Sequence, residues 1–344
     1  MLHILQAVVG RSSLLWDVID PDQEELMPDW GKAGHVGSDL AEYPTDATRD
    51  VLPIPCHSHN DYWRRIPLFD ALHWGCTSVE ADVWLFDDDL YVGHHTASLT
   101  RNRTFRSMYV NPLVDLLDHM NPTTSFGKIS GHGVFDMSPN QTLTLLVDFK
   151  TAAADTYNAV YDQLSALRER DYLTYYSDAE KKLIQRPVTV VGTGNAPFDL
   201  ILANSTRRDI FFDAPLNRLW DQPADQADQS DTPTSGQGTV GTTPSSTFNS
   251  TNSYYASVSF ARTIGFVWLG HLTPVQLAKI RGVTQGAHAR GLKVRWWDTP
   301  AWPVSKRNHI WSILVREEAD VLNVDDLRGA ATEDWRRRMH RMWD

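Results

Sequence analysis

Short runs of apolar and β-branched residues alternate with amphipathic helical patterns along most of the chain. Eight such runs, bounded by turn-forming residues, predict strands at 52–57, 78–85, 143–149, 187–191, 209–212, 265–269, 292–297 and 320–324. Helical patterns lie between several of them, at 155–171, 274–290 and 304–317. This alternation predicts an α/β fold with a parallel sheet, either closed as a TIM (β/α)8 barrel or open. No GxGxxG motif or P-loop follows the first run, which speaks against the open nucleotide-binding sheet.

Two stretches interrupt the pattern. Residues 1–50 include an acidic segment rich in proline and glycine, without periodicity, which predicts a lead-in segment. Residues 221–253 contain no Lys or Arg and almost no large apolar side chain, so we expect a disordered, low-complexity insertion. The remaining 261 residues come close to the roughly 250 of a TIM barrel. We therefore predict one barrel domain over 51–344, interrupted by the insertion.

Composition excludes several classes of function. The 344 residues contain 32 Lys plus Arg and 43 Asp plus Glu, a net charge of −11. This balance speaks against nucleic-acid binding and suits a cation ligand. Two cysteines are too few for a disulfide scaffold or a cysteine-rich zinc module, and we expect Cys56 and Cys76 to be free or packed.

The compartment is less sharply defined by the sequence. The chain contains no run of 18 apolar residues, so the sequence predicts no transmembrane helix. Action at a membrane surface is left open. The first ten residues lack a convincing signal peptide. Four N-glycosylation sequons favour a secreted or secretory glycoprotein over a cytoplasmic protein; they begin at Asn102, Asn140, Asn204 and Asn249. The oligomeric state is left open.

Polar side chains stand where the first two predicted strands end, which is where a barrel carries its chemistry. Alternation places His57 and His59 on one face of the first strand. It also places Glu80 and Asp82 on one face of the second strand, within an apolar run. Neighbouring carboxylates repel in a medium of low dielectric constant, so this pair favours a divalent cation, Mg²⁺ or Ca²⁺. The alternative is neutralisation by Lys or Arg.

Later strands add to this set. His94 ends a short apolar run, and Asp148 at the end of the third main strand is a candidate third metal ligand. Lys150 follows on the same face, where its ammonium can pair with a phosphate. Trp297 is a candidate floor of a substrate pocket, although a place in the barrel core is the alternative. Together these residues favour metal-assisted cleavage of a phosphodiester, with His59 and His94 as base and acid in an order that the sequence leaves open.

Several longer motifs resemble a fungal family, that of altered inheritance of mitochondria protein 6. They are HSHNDYWRR, SVEADVWL, LYVGH, LLVDFK, VVGTGN, FFDAPL, WWDTPAWP and LNVDDL, and they cover the chain from about residue 44 to the end apart from the insertion. That family is similar to the phosphatidylinositol-specific phospholipase C-like phosphodiesterases. The resemblance implies a TIM barrel and a phosphoric diester hydrolase of lipid metabolism. The implied substrates are a glycerophosphodiester, a phosphoinositide or a sphingolipid headgroup.

The resemblance also implies roles for single residues. His59 and His94 match the two catalytic histidines of the related glycerophosphodiesterases, and Glu80, Asp82 and Asp148 match their metal ligands. Asn60 and Asp61 replace the Arg-Gly that follows the first histidine there, so Arg64 or Arg65 is the candidate to bind the phosphate. The expected substrate-binding residues are His57, Arg64, Lys150 and Trp297.

Two other functions fit part of the pattern. The His57-x-His59 pair is also typical of a zinc amidohydrolase, which would need further histidines such as His271 and His288 at strand ends. A barrel that binds a phospholipid headgroup or a protein partner without catalysis is the third alternative.

Overall fold

The computed structural model describes residues 48–333 except 126, 205, 221–237 and 269. The predicted lead-in up to residue 47 and the larger part of the predicted insertion therefore lie outside the described residues.

The described residues form fourteen strands and nine α-helices. The strands are β1 (Ile54–Ser58), β2 (Cys76–Phe86), β3 (Asp89–Val92), β4 (Thr123–Thr124), β5 (Gly127–Lys128), β6 (Leu143–Phe149), β7 (Tyr175–Ser177), β8 (Lys182–Ile184), β9 (Val188–Gly194), β10 (Arg207–Arg208), β11 (Ile210–Pro215), β12 (Ser253–Ser259), β13 (Lys293–Trp297) and β14 (Val321–Val324). The helices are α1 (Phe69–His73), α2 (Asn111–Met120), α3 (Ala153–Gln163), α4 (Ser165–Glu169), α5 (Phe198–Ala203), α6 (Phe260–Ile264), α7 (Pro274–His288), α8 (Val304–Arg316) and α9 (Leu327–Thr332).

Eight parallel strands close into a barrel. Their order is β1, β2, β6, β9, β11, β12, β13, β14, and β1 pairs with both β14 and β2. The strand β3 continues antiparallel from β2 as a hairpin. Helices lie between most of the successive barrel strands, so the predicted TIM (β/α)8 barrel is confirmed. The helix predicted from residue 274 begins there, with Thr273 and Gln276 forming a capping box around Pro274.

The sixth barrel strand is not where the sequence pattern put it. The strand predicted at 265–269 is wrong, because the sixth strand is β12 and residues 265–267 are irregular. The inward positions of β12 include Ser257 and Ser259, which pair with Arg295 and Trp297 of β13. Because these inward side chains are hydroxyls rather than apolar groups, the strand lacked the hydrophobic pattern that identified the others.

The end of the predicted insertion is ordered. Residues 238–253 were expected to be disordered, but Phe248 is buried with its ring 5.0 Å from that of Phe198 and 5.8 Å from that of Phe212. One aromatic anchor thus fixes a segment of otherwise polar composition, and β12 begins at Ser253.

The core has two parts. The larger part lies between the barrel and its helices, where Trp296 is buried against Phe260. A small cluster fills the lower barrel interior and consists of Leu146, Val191, Tyr255 and Val321. Above this cluster the inward side chains become polar, which leaves the carboxyl end of the barrel for chemistry.

Cys56 and Cys76 form a disulfide, with their Cα atoms 4.7 Å apart, so the expectation of free cysteines is wrong. That expectation assumed regular pairing of the first two strands. In the structure Ile54 pairs with Cys76 and His57 with Ser78, so β1 has one extra residue in this interval. The bulge changes the parity of Cys56 and brings it beside Cys76.

Among the described residues, none of the helices combines the length and the apolar character that crossing a bilayer requires.

Candidate active site

Three carboxylates converge at the carboxyl end of the barrel. Glu80 and Asp82 share the inner face of β2, and Asp82 pairs directly with Asp148 on β6. Each of the three offers an oxygen within 4.8 Å of the other two, the only such cluster of possible metal ligands among the described residues. The strand period of two and the register of two neighbouring strands therefore assemble the predicted ligand set.

Lys150 lies beside this cluster. Its Nζ is 2.6 Å from Asp148 Oδ2 and 3.0 Å from Asp82 Oδ2. The ammonium thus contacts two of the three carboxylates, whereas Glu80 faces His57 and His59. Asp82 Oδ1 is buried and has no hydrogen-bond partner, which leaves one oxygen of the cluster available to a further cation.

The protonation of the carboxylates reflects this crowding. Burial, followed by the charges of Asp148 and Glu80, raises the pKa of Asp82 to about 8. Burial also raises the pKa of Asp148, although Lys150 opposes it. Burial would raise the pKa of Glu80 as well, but His57 and His59 hold it well below its usual range. Neighbouring carboxylates whose pKa values are shifted in opposite directions are typical of functional sites.

His59 is held by a residue from the other end of the chain. Its Nδ1 is 2.8 Å from Asp325 Oδ1, and its Nε2 faces Glu80 Oε2 at 3.9 Å. Burial lowers the pKa of His59, but the hydrogen bond with Asp325 and the charge of Glu80 outweigh it and raise the pKa overall. The ring remains partly exposed, as a proton-transferring group must.

His57 lies beneath the site. Its ring is completely buried, with Nδ1 2.6 Å from Ser78 Oγ and Nε2 3.5 Å from Glu80 Oε2. Burial lowers its pKa to about 4, so the ring is neutral near pH 7. Although it lies near Glu80, His57 Nε2 makes no hydrogen bond among the described residues, and the buried ring is not accessible to a substrate in this conformation.

Tyr62 joins the second histidine to the carboxylates. Its hydroxyl donates to Asp82 Oδ2 at 2.8 Å and lies 3.2 Å from His94 Nδ1. His94 is partly exposed, and the indole of Trp63 meets its ring edge-on at 5.1 Å. Burial lowers the pKa of His94, and the charge of Lys150 adds to this effect. The sequence did not single out Tyr62; its place two residues after Asn60 in the polar turn was the available signal.

Arg64 is committed to the backbone. Its guanidinium donates to Ser58 Oγ at 3.0 Å and to the carbonyl oxygens of His59, Val324 and Asp325 at 2.6 to 3.1 Å. It thus holds the end of β1 against the end of β14, and its five N–H donors make four hydrogen bonds to acceptors among the described residues.

A buried arginine lies deeper in the barrel. Arg295 donates to Ser257 Oγ at 3.0 Å and to Asn323 Oδ1 at 2.7 Å, and its Nη2 lies 3.5 Å from Asp213 Oδ2. Its charge also lowers the pKa values of Glu80 and Asp148. Alternation along β13 places the charged side chain of Arg295 on the inner face of an otherwise mostly apolar strand. This signal was overlooked in the sequence. Trp297 shares the inward face of Arg295 and is half-buried.

The histidines that a zinc amidohydrolase would need lie elsewhere. His288, at the end of α7, is 2.7 Å from Asp320, just before β14 begins and hence at the opposite end of the barrel. His271 precedes α7 and faces His309, with ring centroids 6.3 Å apart. Neither belongs to the carboxylate cluster of the described residues.

Comparison with known proteins gives the class of the fold. Residues 45–213 match the family model described as AIM6-like phosphodiesterase domain, so the barrel is of phosphodiesterase type. The chain belongs to the family of altered inheritance of mitochondria protein 6, as its motifs predicted.

The relatives in this family are fungal. The chain is 38% identical over 305 residues to the altered inheritance of mitochondria protein 6 homolog of Arthroderma benhamiae, which covers 85% of this chain and 88% of that one. It is 36% identical over 296 residues to the protein of Lachancea thermotolerans, and this alignment covers 81% of this chain and 66% of the relative. It is 35% identical over 307 residues to the protein of Saccharomyces cerevisiae, and this alignment covers 81% of this chain and 70% of the relative.

Proposed function

We propose that this protein is a divalent-metal-dependent phosphodiesterase that hydrolyses a phosphodiester of a lipid headgroup or a glycerophosphodiester. The observation that carries the proposal is the buried, unpartnered Oδ1 of Asp82 inside a cluster of three carboxylates. This cluster lies beside two partly exposed histidines and one lysine, which is the set that phosphodiester cleavage requires.

The residues present fit a hard cation. Glu80, Asp82 and Asp148 supply only oxygen donors, which Mg²⁺ and Ca²⁺ prefer. Burial and the crowding of the three carboxylates raise the pKa of Asp82 to about 8, and a bound cation would relieve this repulsion. When bound, the cation would stabilise the charge that develops on the phosphate oxygens.

The side chains of the chain have separate tasks in this proposal. Lys150 binds a phosphate oxygen through its ammonium. Asp325 holds His59 through Nδ1, so that Nε2 faces the site. His59 and His94 form the pair that transfers protons: the raised pKa of His59 suits the group that gives a proton to the leaving alcohol, and the lowered pKa of His94 suits the group that takes a proton from water or from a substrate hydroxyl. Tyr62 positions both His94 and Asp82, and Trp297 on the inner face packs against the alcohol portion of the substrate.

Activity against a panel of diesters tests the proposal. Glycerophosphocholine, a phosphoinositide and a sphingomyelin are each incubated with the protein in Mg²⁺, in Ca²⁺ and in EDTA. We expect hydrolysis of at least one substrate, loss of it in EDTA, and loss of it in Glu80→Gln and His59→Ala. Activity that survives EDTA or the Glu80 substitution contradicts the metal-dependent mechanism. A blank panel, with one diester still raising the melting temperature, supports a non-catalytic binding barrel instead.

A further inference from the structure

Exposed aromatic side chains are confined to one end of the barrel. Among the described residues, five Trp and Phe side chains are exposed, and all of them lie at or after the carboxyl end of a barrel strand. They are Trp63 after β1, Phe86 at the end of β2, Phe266 and Trp268 after β12, and Trp302 after β13. Large side chains exposed on the connections at the amino end, such as Ile129, Met137 and Leu183, are all aliphatic or Met. The aromatic residues therefore mark the mouth of the candidate active site.

Four of these five residues form an arc along one side of the mouth. Their exposed fractions are 59% for Trp63, 78% for Phe266, 67% for Trp268 and 80% for Trp302. The arc follows β12, β13 and β1, which are separated in the barrel only by β14. Phe86, at the end of β2 next to β1, is left out of the arc because the acidic turn Asp87-Asp88 follows it directly.

The arc is presented by ordered backbone. Val267 is buried between Phe266 and Trp268, whose rings lie 6.1 Å apart, and Trp268 makes a β-bridge with His271. Lys306 in α8 reaches to 5.9 Å from the ring of Phe266, which ties this loop to the segment that carries Trp302. At the other end of the arc, Trp63 touches the ring of His94. The aromatic arc is thus continuous with the catalytic machinery.

We propose that this aromatic arc inserts into the interface of an electrically neutral lipid bilayer and sets the mouth of the barrel on the membrane surface. Trp and Phe are the side chains that membrane–water interfaces favour, since one part of the ring is apolar and the indole N–H can remain hydrated. A net charge of −11 and the acidic turn beside Phe86 argue against an anionic surface. Binding is therefore apolar, and salt leaves it unchanged.

The substrate class follows from this orientation and rests on the proposed function. A site that opens onto a bilayer meets headgroups that are still attached to their lipid, so the diester is that of a membrane phospholipid or sphingolipid. The insertion itself does not depend on hydrolysis. The two inferences can therefore fail separately.

Co-sedimentation with phosphatidylcholine vesicles tests the insertion. The full chain is compared with Phe266→Ala/Trp268→Ala, with Trp302→Ala, and with the matched control Ile129→Ala/Leu183→Ala at the opposite end of the barrel. We expect the vesicle partition coefficient to fall roughly tenfold or more in the double aromatic variant, to fall in Trp302→Ala, and to stay unchanged in the control. Raising NaCl from about 0.1 M to about 0.5 M should leave the wild-type coefficient unchanged, because the Debye length affects only charge interactions.

Three results would overturn the insertion: no binding of the wild type, equal binding of the aromatic variants, or release by salt. The last would indicate a charged partner, such as a protein. Glu80→Gln should bind vesicles as the wild type does, although it should no longer hydrolyse the diester. Absence of hydrolysis in the wild type, with intact vesicle binding, refutes the proposed function alone. If hydrolysis is found, the ratio of rates on vesicle-borne and water-soluble substrate should fall in the double aromatic variant; an unchanged ratio refutes the substrate class.

Discussion

The Nδ1 atom of His59 lies 2.8 Å from Oδ1 of Asp325, across 266 positions of sequence. This contact exists because β1 and β14 are neighbours in the closed barrel, with His57 paired to Asn323. A carboxylate in this position fixes both the tautomer and the orientation of an imidazole. The first strand thus supplies the histidine, and the turn after the last strand supplies its partner.

Asp325→Asn should lower kcat at least about tenfold and leave KM nearly unchanged, because an amide in place of the carboxylate no longer fixes the histidine tautomer. Steady-state kinetics on the diester found active in the panel gives both constants. Asp325 is largely exposed, so the fold should tolerate the change. Asp171→Asn, which removes a carboxylate paired with Arg186 and Arg207 away from the site, is the matched control. Equal kcat values for the two variants would contradict the role of Asp325.

Tyr62→Phe should weaken cation binding about tenfold or more, because loss of a hydrogen bond to a ligand carboxylate disorders that ligand. The hydroxyl that disappears donates to Asp82 Oδ2, and the ring can keep its buried place. The Mg²⁺ or Ca²⁺ concentration for half-maximal activity measures the effect, and calorimetric titration of the metal provides an independent value. Tyr161→Phe serves as the control; Tyr161 lies on α3, and its ring packs against the guanidinium of Arg168. Unaltered metal affinity in Tyr62→Phe would remove Tyr62 from the ligand-positioning network.

Removal of the disulfide in Cys56→Ala/Cys76→Ala should destabilise the protein by about 3 kcal/mol, because a crosslink spanning 20 residues restricts the unfolded chain. Urea unfolding of the oxidised protein, the reduced protein and the double variant gives the free energies of unfolding. The reduced protein and the variant should lie together below the oxidised protein. A variant as stable as the oxidised protein would show that the bond adds nothing to the free energy of unfolding.

Asp61 should make stability depend on pH below neutrality. Its carboxyl is buried and accepts from Leu68 N at 2.6 Å, and burial raises its pKa from 3.8 to about 6. Because the folded state favours the protonated form, Asp61 contributes to the free energy of unfolding. This contribution is fully present below about pH 4 and is lost as the pH rises through 6. The loss is on the order of 3 kcal/mol.

Urea unfolding at several values between pH 4 and pH 7 measures this dependence. The Asp61→Asn variant keeps the acceptor oxygen but cannot ionise, so its free energy of unfolding should lack the pH dependence that Asp61 causes. The difference in unfolding free energy between wild type and variant should therefore change between pH 4 and pH 7. A difference that stays constant from pH 4 to pH 7 would refute the raised pKa.

The sequence by itself determined the parts of the protein that depend on local geometry. The period of two along a strand puts Glu80 and Asp82 on one face whatever the rest of the chain does. The alternation of strand and helix likewise indicates the barrel, and the order of strands in a (β/α)8 barrel then brings Asp148 to the same edge. Seven of the eight predicted strand positions correspond to barrel strands for this reason.

Tertiary structure alone decided the features that depend on register and closure. A single extra residue in β1 joins Cys56 to Cys76, and no local pattern shows a bulge. Closure of the barrel gives His59 its partner and commits Arg64 to backbone carbonyls at the end of β14. The strand β12 escaped prediction because its inward side chains face a polar interior. Local preference fixes which face a side chain takes, whereas contacts between distant segments fix what it meets there.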